Sequence, residues 1–234
     1  MARPCGRALR MQNSVERALE AALTDRFGFG QILVRKTNDG FVLSHRDDEA
    51  HDDLQTFRNA GDAVEITKYD DAGNYRPLKT APNLRHGWRL DLATLEELKR
   101  ALDYFYPGRL GVFVAWKTSQ LRTTPLRETL DRQSGMYRIA AKISDQPTND
   151  VVGSFCRSDG GCLRTILWKR DQRGTIASTK LPKEKFDPGY DQVMALGGPG
   201  SAAPATATIP LLCQEACNLL VAECRKVVTG ARAR

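Results

Sequence analysis

The sequence predicts an α+β protein in two parts: a mixed N-terminal module with hairpins over residues 1–88, and a mostly helical C-terminal domain over residues 89–234. Three observations carry that expectation. Short β-rich runs flank an Asn-Asp-Gly turn in the first third. Beyond Arg89 apolar residues recur at helical spacing between capping residues and Pro-Gly stops. A chain of 234 residues, 41% hydrophobic and 27% charged, suffices for one large core or two small ones and excludes wholesale disorder.

Residues 14–27 read as an amphipathic helix, with Ser14 as cap, Val15, Ala18, Leu19, Ala22 and Leu23 on one face, and Gly28, Phe29 and Gly30 as the stop. Residues 31–35 and 41–44 pair as a hairpin across Asn38, Asp39 and Gly40. A short helix is expected at 50–58, then a second hairpin from 63–69 and 75–78 across Asp71, Ala72 and Gly73. Asp91 or Thr94 caps a helix through Leu95, Leu98, Ala101, Leu102 and Phe105, ended by Tyr106, Pro107 and Gly108. Helical segments follow at 109–120, from Thr124 and Pro125 onward, and at 136–143. A strand is expected at 162–168, irregular chain at 181–191, a flexible Gly/Ala/Pro loop at 196–208, and a last helix over 210–228.

No run approaches eighteen apolar residues, which argues against a membrane helix, and the N-terminal stretch lacks the apolar core of a secretory signal, so a cytoplasmic location is expected. Positive charge is concentrated late: residues 151–234 hold 12 basic and 7 acidic side chains, against 23 and 21 in residues 1–150. Such a region attracts nucleic acid, an anionic metabolite or an acidic partner. The chain has no G-x-S-x-G motif, Walker loop or dinucleotide fingerprint, and its three histidines leave few candidates for base-assisted nucleophilic catalysis.

The cysteines point to chemistry. Cys156 and Cys162 are separated by five residues, two of them glycine, and Cys213 and Cys217 by three. On the expected last helix Cys213 and Cys217 stand at i and i+4, one turn apart on one face, with Cys213 near the positive end of the helix dipole. The glycine-bearing loop permits tight turns whose N–H groups can face an anion. Two separated thiolate pairs suit a [4Fe–4S] cluster, whose negative charge Arg157, Arg164, Lys169 and Arg170 would offset. A structural zinc site with four cysteine ligands uses the same donors, though its knuckles usually have shorter spacings, and unreactive thiols are the third reading. Four cysteine ligands leave no open iron position, which favours electron transfer or structural stabilisation over Lewis-acid catalysis. Cys224, about 10 Å further along the helix, reads as packing, and Cys5 is unassigned.

The C-x5-C and C-x3-C spacing resembles the [4Fe–4S] motif of sulfite and nitrite reductases, although no sirohaem-binding pattern accompanies it here. Across residues 85–228, the runs 98–107 (LKRALDYFYP), 124–133 (TPLRETLDRQ), 135–138 (GMYR), 162–168 (CLRTILW) and 213–221 (CQEACNLLV) resemble the C-terminal region of a multidomain, sirohydrochlorin (cobalt) chelatase-like bacterial protein. The resemblance implies a cluster on Cys156, Cys162, Cys213 and Cys217, and a redox role in tetrapyrrole or cobalt-corrinoid metabolism with a redox protein or chelatase subunit as partner. Nothing here resembles the chelatase domains or their metal-inserting histidines, so chelatase activity is not implied. The alternative reading is a basic nucleic-acid-binding module with a structural metal, residues 164–173 being its best feature.

Other side chains carry weaker signals. His45 and His51 stand among carboxylates, ending at Asp53, as a divalent metal site or a solvated helix start. Arg132, Arg138, Arg157 and Arg164 are candidates for an anion pocket, or for exposed, ion-paired helix residues. Trp168 and Tyr137 read as core, and Asn218 as a cap near the cluster or a surface amide.

Overall fold

The computed structural model describes residues 17, 19, 20, 25–157, 161–168 and 207–230. The chain forms two compact units, Met1–Gln120 with Gln192–Leu211, and Leu121–Asp191 with Leu212–Arg234. The division falls at Gln120, whereas the onset of helical spacing after Arg89 suggested residue 88. The segment between those two points supplies a central strand and two helices to the first unit.

In that unit, strands β1 (Arg26–Phe29), β2 (Ile32–Thr37), β3 (Gly40–His45), β4 (Gln55–Phe57), β5 (Trp88–Leu92) and β7 (Ala207–Ile209) form one sheet in the order β4-β5-β3-β2-β1-β7. The pairs β1–β2, β2–β3 and β3–β5 are antiparallel, while β4–β5 and β1–β7 are parallel. The expected first hairpin forms, with Val34 opposite Leu43 and Thr37 opposite Gly40. Gly40 is required there: its φ is +142°, and a Cβ would run into the carbonyl oxygen of Leu92. Trp88, Leu90 and Leu92 alternate inward on β5.

Helix α1 (Asp62–Lys68) packs against α2 (Leu95–Phe105), which is followed by α3 (Arg109–Lys117). Helix α2 begins with a capping box: the Glu97 N–H donates to Thr94 Oγ1 at 3.2 Å and the Thr94 N–H donates to Glu97 Oε2 at 3.1 Å. Its buried face, Leu98, Ala101, Leu102 and Phe105, meets the sheet, with the Phe105 ring stacked on Trp88 at 5.0 Å. Beyond α2, the buried hydroxyl of Tyr106 accepts from the Gln31 N–H at 2.9 Å, and burial pushes the phenol up to about 12.

Several expectations fail in this unit. Of the helix expected at 14–27, Arg17, Leu19 and Glu20 are helical, but β1 starts at Arg26 and buries Phe27 and Phe29 by alternation; the other positions up to Thr24 lie outside the described residues. The helix expected at 50–58 is replaced by a 3-10 turn, Arg46–Asp48, and by β4. The second hairpin is helix α1, which buries Ala63, Ile66 and Thr67 at helical spacing; one antiparallel bridge, Tyr69 to Tyr75, is what remains of it.

The second unit contains α4 (Leu126–Asp131), a 3-10 segment (Gly135–Lys142), α5 (Asp145–Val152), a π turn (Gly153–Arg157), the parallel pair β6 (Thr165–Ile166) and β8 (Leu212–Cys213), and α6 (Asn218–Val228). Leu126, Leu130, Ile143, Val151, Trp168 and Leu220 belong to one core. The Arg127 guanidinium donates to the Ala141 and Ile143 carbonyls at 2.7 and 3.0 Å, closing the end of the 3-10 segment. The strand expected over 162–168 is two residues long, and the expected last helix starts at Asn218 rather than Pro210 because Leu212 and Cys213 pair with β6. The 181–191 segment and most of the 196–208 loop lie outside the described residues.

Among the described residues, no helix is long and apolar enough to cross a membrane.

Candidate iron–sulfur site

Four short pieces of the second unit position the four thiols. Cys156 sits in the π turn that follows α5. Cys162 precedes β6. Cys213 ends β8, and Cys217 is the N-cap of α6. The β6–β8 pairing is what joins remote segments: Ile166 lies opposite Cys213, and the Leu167 N–H donates to the Cys213 carbonyl at 3.0 Å. The Thr124 N–H donates to the Gln214 carbonyl at 3.0 Å and holds the loop between Cys213 and Cys217. The expected placement of both late cysteines on one helix face is therefore wrong. Cys217, not Cys213, stands at the helix start, and its sulfur makes no capping bond. Cys224 is fully buried in the core, as a packing residue should be.

Cys156, Cys162, Cys213 and Cys217 line one pocket together with Phe155, Arg164, Ile166, Trp168, Ala216 and Leu220. Cys213 is buried and the other three are half-buried, and none is in a disulfide. Burial, and then the other three sulfurs, push the Cys156 thiol far up. Burial likewise raises Cys213, opposed by Arg164 and by the Trp168 indole, whose N–H donates to Cys213 Sγ at 3.2 Å. The Cys213 thiol donates in turn to the Glu215 carbonyl at 3.0 Å. Burial alone would lower Arg164, but Cys213 and Cys162 outweigh it and hold the guanidinium above its ordinary value. Its Nε is buried without a hydrogen-bond partner.

The residues present fit a polynuclear centre. Four clustered thiols can become thiolates only if a cation takes up their charge, and the pocket lining offers one arginine and no carboxylate. A single zinc ion holds its sulfurs at 2.3 Å, hence within about 4 Å of one another. A cluster is wider and accepts ligands from segments as separate as the π turn, β8 and the start of α6.

The remaining candidates sort clearly. Arg132 and Arg138 are exposed and do not line the thiol pocket; Arg132 lies 4.0 Å from Glu128 and 3.9 Å from Glu215. The side chain of Arg157, together with Lys169, Arg170 and Cys5, lies outside the described residues, as do residues 169–173 of the basic stretch. Trp168 is core as expected, and its donor role toward sulfur is the feature that sequence reading missed. Tyr137, expected in the core, is 39% exposed beneath the Arg225 guanidinium. Asn218 is an exposed first-turn residue of α6.

His51, Asp52 and Asp53 are exposed. His45 instead meets the remote His86, their rings 3.9 Å apart. His86 Nδ1 lies 2.8 Å from Asp48 Oδ1, and the Gly87 N–H donates to Asp48 Oδ2 at 2.7 Å. His45 Nδ1 accepts from the Asp47 N–H at 3.2 Å, and its Nε2 is 3.1 Å from the Gln31 amide. These contacts tie the end of β3 and the 3-10 turn after it to the chain at His86 and Gly87.

Comparison with known proteins agrees with this division. Residues 15–115 match a family described as the DR2241 stabilising domain, and residues 118–226 match a 4Fe-4S iron-sulfur cluster binding domain. No curated protein matches the chain. Among solved structures, DR2241 from Deinococcus radiodurans is 25% identical, with a TM-score of 0.72 over 94% of this chain and 42% of that one. That protein is described as multi-domain, with structural similarity to chelatases and two additional novel domains. The present chain thus spans less than half of its length. The chain is similar, in tandem, to a stabilising domain followed by a 4Fe-4S iron–sulfur cluster binding domain, and over most of its length to part of DR2241.

Proposed function

We propose that the chain is a one-electron carrier in which Cys156, Cys162, Cys213 and Cys217 hold the [4Fe–4S] cluster. One electron arrives from a reduced donor protein and the same electron leaves to an acceptor protein, so the carrier returns unchanged. The observation that supports this reading is the convergence of four thiols on one pocket walled by Phe155, Ile166, Trp168 and Leu220. Four thiolate ligands leave no iron position open to a substrate, which fits electron transfer better than Lewis-acid chemistry. The likeness to a protein described as similar to chelatases supports an acceptor in tetrapyrrole or cobalt-corrinoid metal chelation.

The protein's own groups prepare the site. Loading the cluster takes the protons from four thiols, and Arg164 and the Trp168 N–H favour the thiolate at Cys213. The apolar wall buries Cys213 and leaves the other three half-buried. The test is anaerobic purification with iron and sulfide analysis. Four irons and four sulfides per chain are expected, with reversible reduction followed by electron paramagnetic resonance. Replacing Cys213 or Cys156 by serine should lose most of the iron. A colourless chain without iron, or a centre that no reductant changes, rejects the proposal.

A further inference from the structure

We infer that Trp168 and Arg164 set the reduction potential of this site, by holding an indole N–H and a guanidinium against its sulfurs. The inference rests on the four-cysteine reading above and goes beyond it to what tunes the centre.

Trp168 is completely buried, and its indole N–H, a donor with no acceptor capacity, points at Cys213 Sγ at 3.2 Å. Packing alone would be served by any large apolar side chain; the nitrogen adds a hydrogen bond to one proposed ligand. Arg164 is hydrogen-bonded to Cys162 and interacts with Cys213 and Cys217. No carboxylate lines the pocket, so sulfur is what answers this guanidinium there. Its buried Nε lacks a protein partner. A buried donor left unsatisfied is costly, and an acceptor held among the four thiols would remove that cost.

Reduction adds one negative charge to a site that already carries several. Burial among Phe155, Ile166, Ala216 and Leu220 opposes that charge and lowers the potential. A hydrogen bond to a ligand sulfur and a fixed cation beside it favour the reduced form and raise the potential. Trp168 and Arg164 thus counter the apolar wall.

The test is an anaerobic potentiometric titration of the iron-loaded full chain, with iron and sulfide measured in every sample. Trp168→Phe should keep its iron and shift to a more negative midpoint. At the wild-type midpoint its reduced-to-oxidised ratio should fall about tenfold, equivalent to about 59 mV for a one-electron couple. Arg164→Gln should shift in the same direction, and Arg164→Lys should recover part of the loss. Iron-loaded variants with unchanged midpoints overturn this inference and leave the four-cysteine reading standing. A wild-type chain without iron overturns both. If Trp168→Phe loses its iron, the donor is read in the wild-type protein: reduced samples should show an exchangeable proton coupled to the centre by electron–nuclear double resonance, gone in protein produced in deuterium oxide. Absence of that proton overturns the role of Trp168.

Discussion

At the scale of single residues, burial without charge compensation is the common theme. His45 is fully buried, and desolvation, then its neighbour His86, lowers its pKa from 6.5 to about 4. In the unfolded chain the imidazole takes up a proton below about 6.5, while in the folded protein it does so only near 4. Between those values the unfolded state binds more protons, so stability falls as pH drops through this window. The loss from this residue should reach about 3 kcal/mol at full effect. Urea midpoints for the wild type and His45→Gln at pH 7, 6 and 5 should show a steeper acid loss in the wild type. Parallel curves would mean that His45 is not held neutral. The sequence displays His45 among carboxylates but not its partner, because His86 is brought to it by the fold. The same limit hides the pairing of Trp168 with Cys213. Residue type was legible at both places, and the contact that gives it a role was not.

At the scale of elements, what could be read was local. The β2–β3 hairpin announces itself through Asn38, Asp39 and Gly40, and α2 through Thr94, Glu97 and its apolar spacing. Misreadings occur where distant chain decides the outcome. Residues 63–69 include Val, Ile, Thr and Tyr, types favoured in strands, yet burial of Ala63, Ile66 and Thr67 against α2 makes 62–68 helical. Leu212 and Cys213 leave the expected helix because a two-residue partner at Thr165 and Ile166 is available to them. The loop after α1 is organised by one buried cation. Arg76 donates to Asn83 Oδ1 at 2.8 Å and to the carbonyls of Thr67, Lys79 and Ala81 at 3.2, 3.2 and 2.9 Å. Lys79 Nζ also reaches the Thr67 carbonyl, which therefore keeps a partner without Arg76. Arg76→Met should thus strand the Lys79 and Ala81 carbonyls and the Asn83 side chain, costing about 3 kcal/mol. A urea midpoint close to that of the wild type would show that water satisfies these groups instead.

At the scale of the whole molecule, the two units differ in what holds them together. The first has a six-stranded sheet backed by helices, with Phe27, Phe29, Leu43, Trp88 and Phe105 almost wholly buried. In the second, the sheet is a two-stranded pair, and the candidate ligands Cys156, Cys213 and Cys217 lie in or against its core. The cysteines that come from separate segments are also the points where those segments meet. A centre bound by all four would therefore be a cross-link whose binding free energy is folding free energy. Removing iron anaerobically with a chelator and mild oxidant should lower amide protection in β6, β8, the π turn and the start of α6. Protection in β2, β3 and β5, which owe nothing to the thiols, should stay near its starting value. Hydrogen exchange before and after iron removal reads both regions in one experiment. Equal protection of β6 and β8 with and without iron would mean that their hydrophobic contacts suffice, and that the cysteines are held in place for chemistry rather than for cohesion.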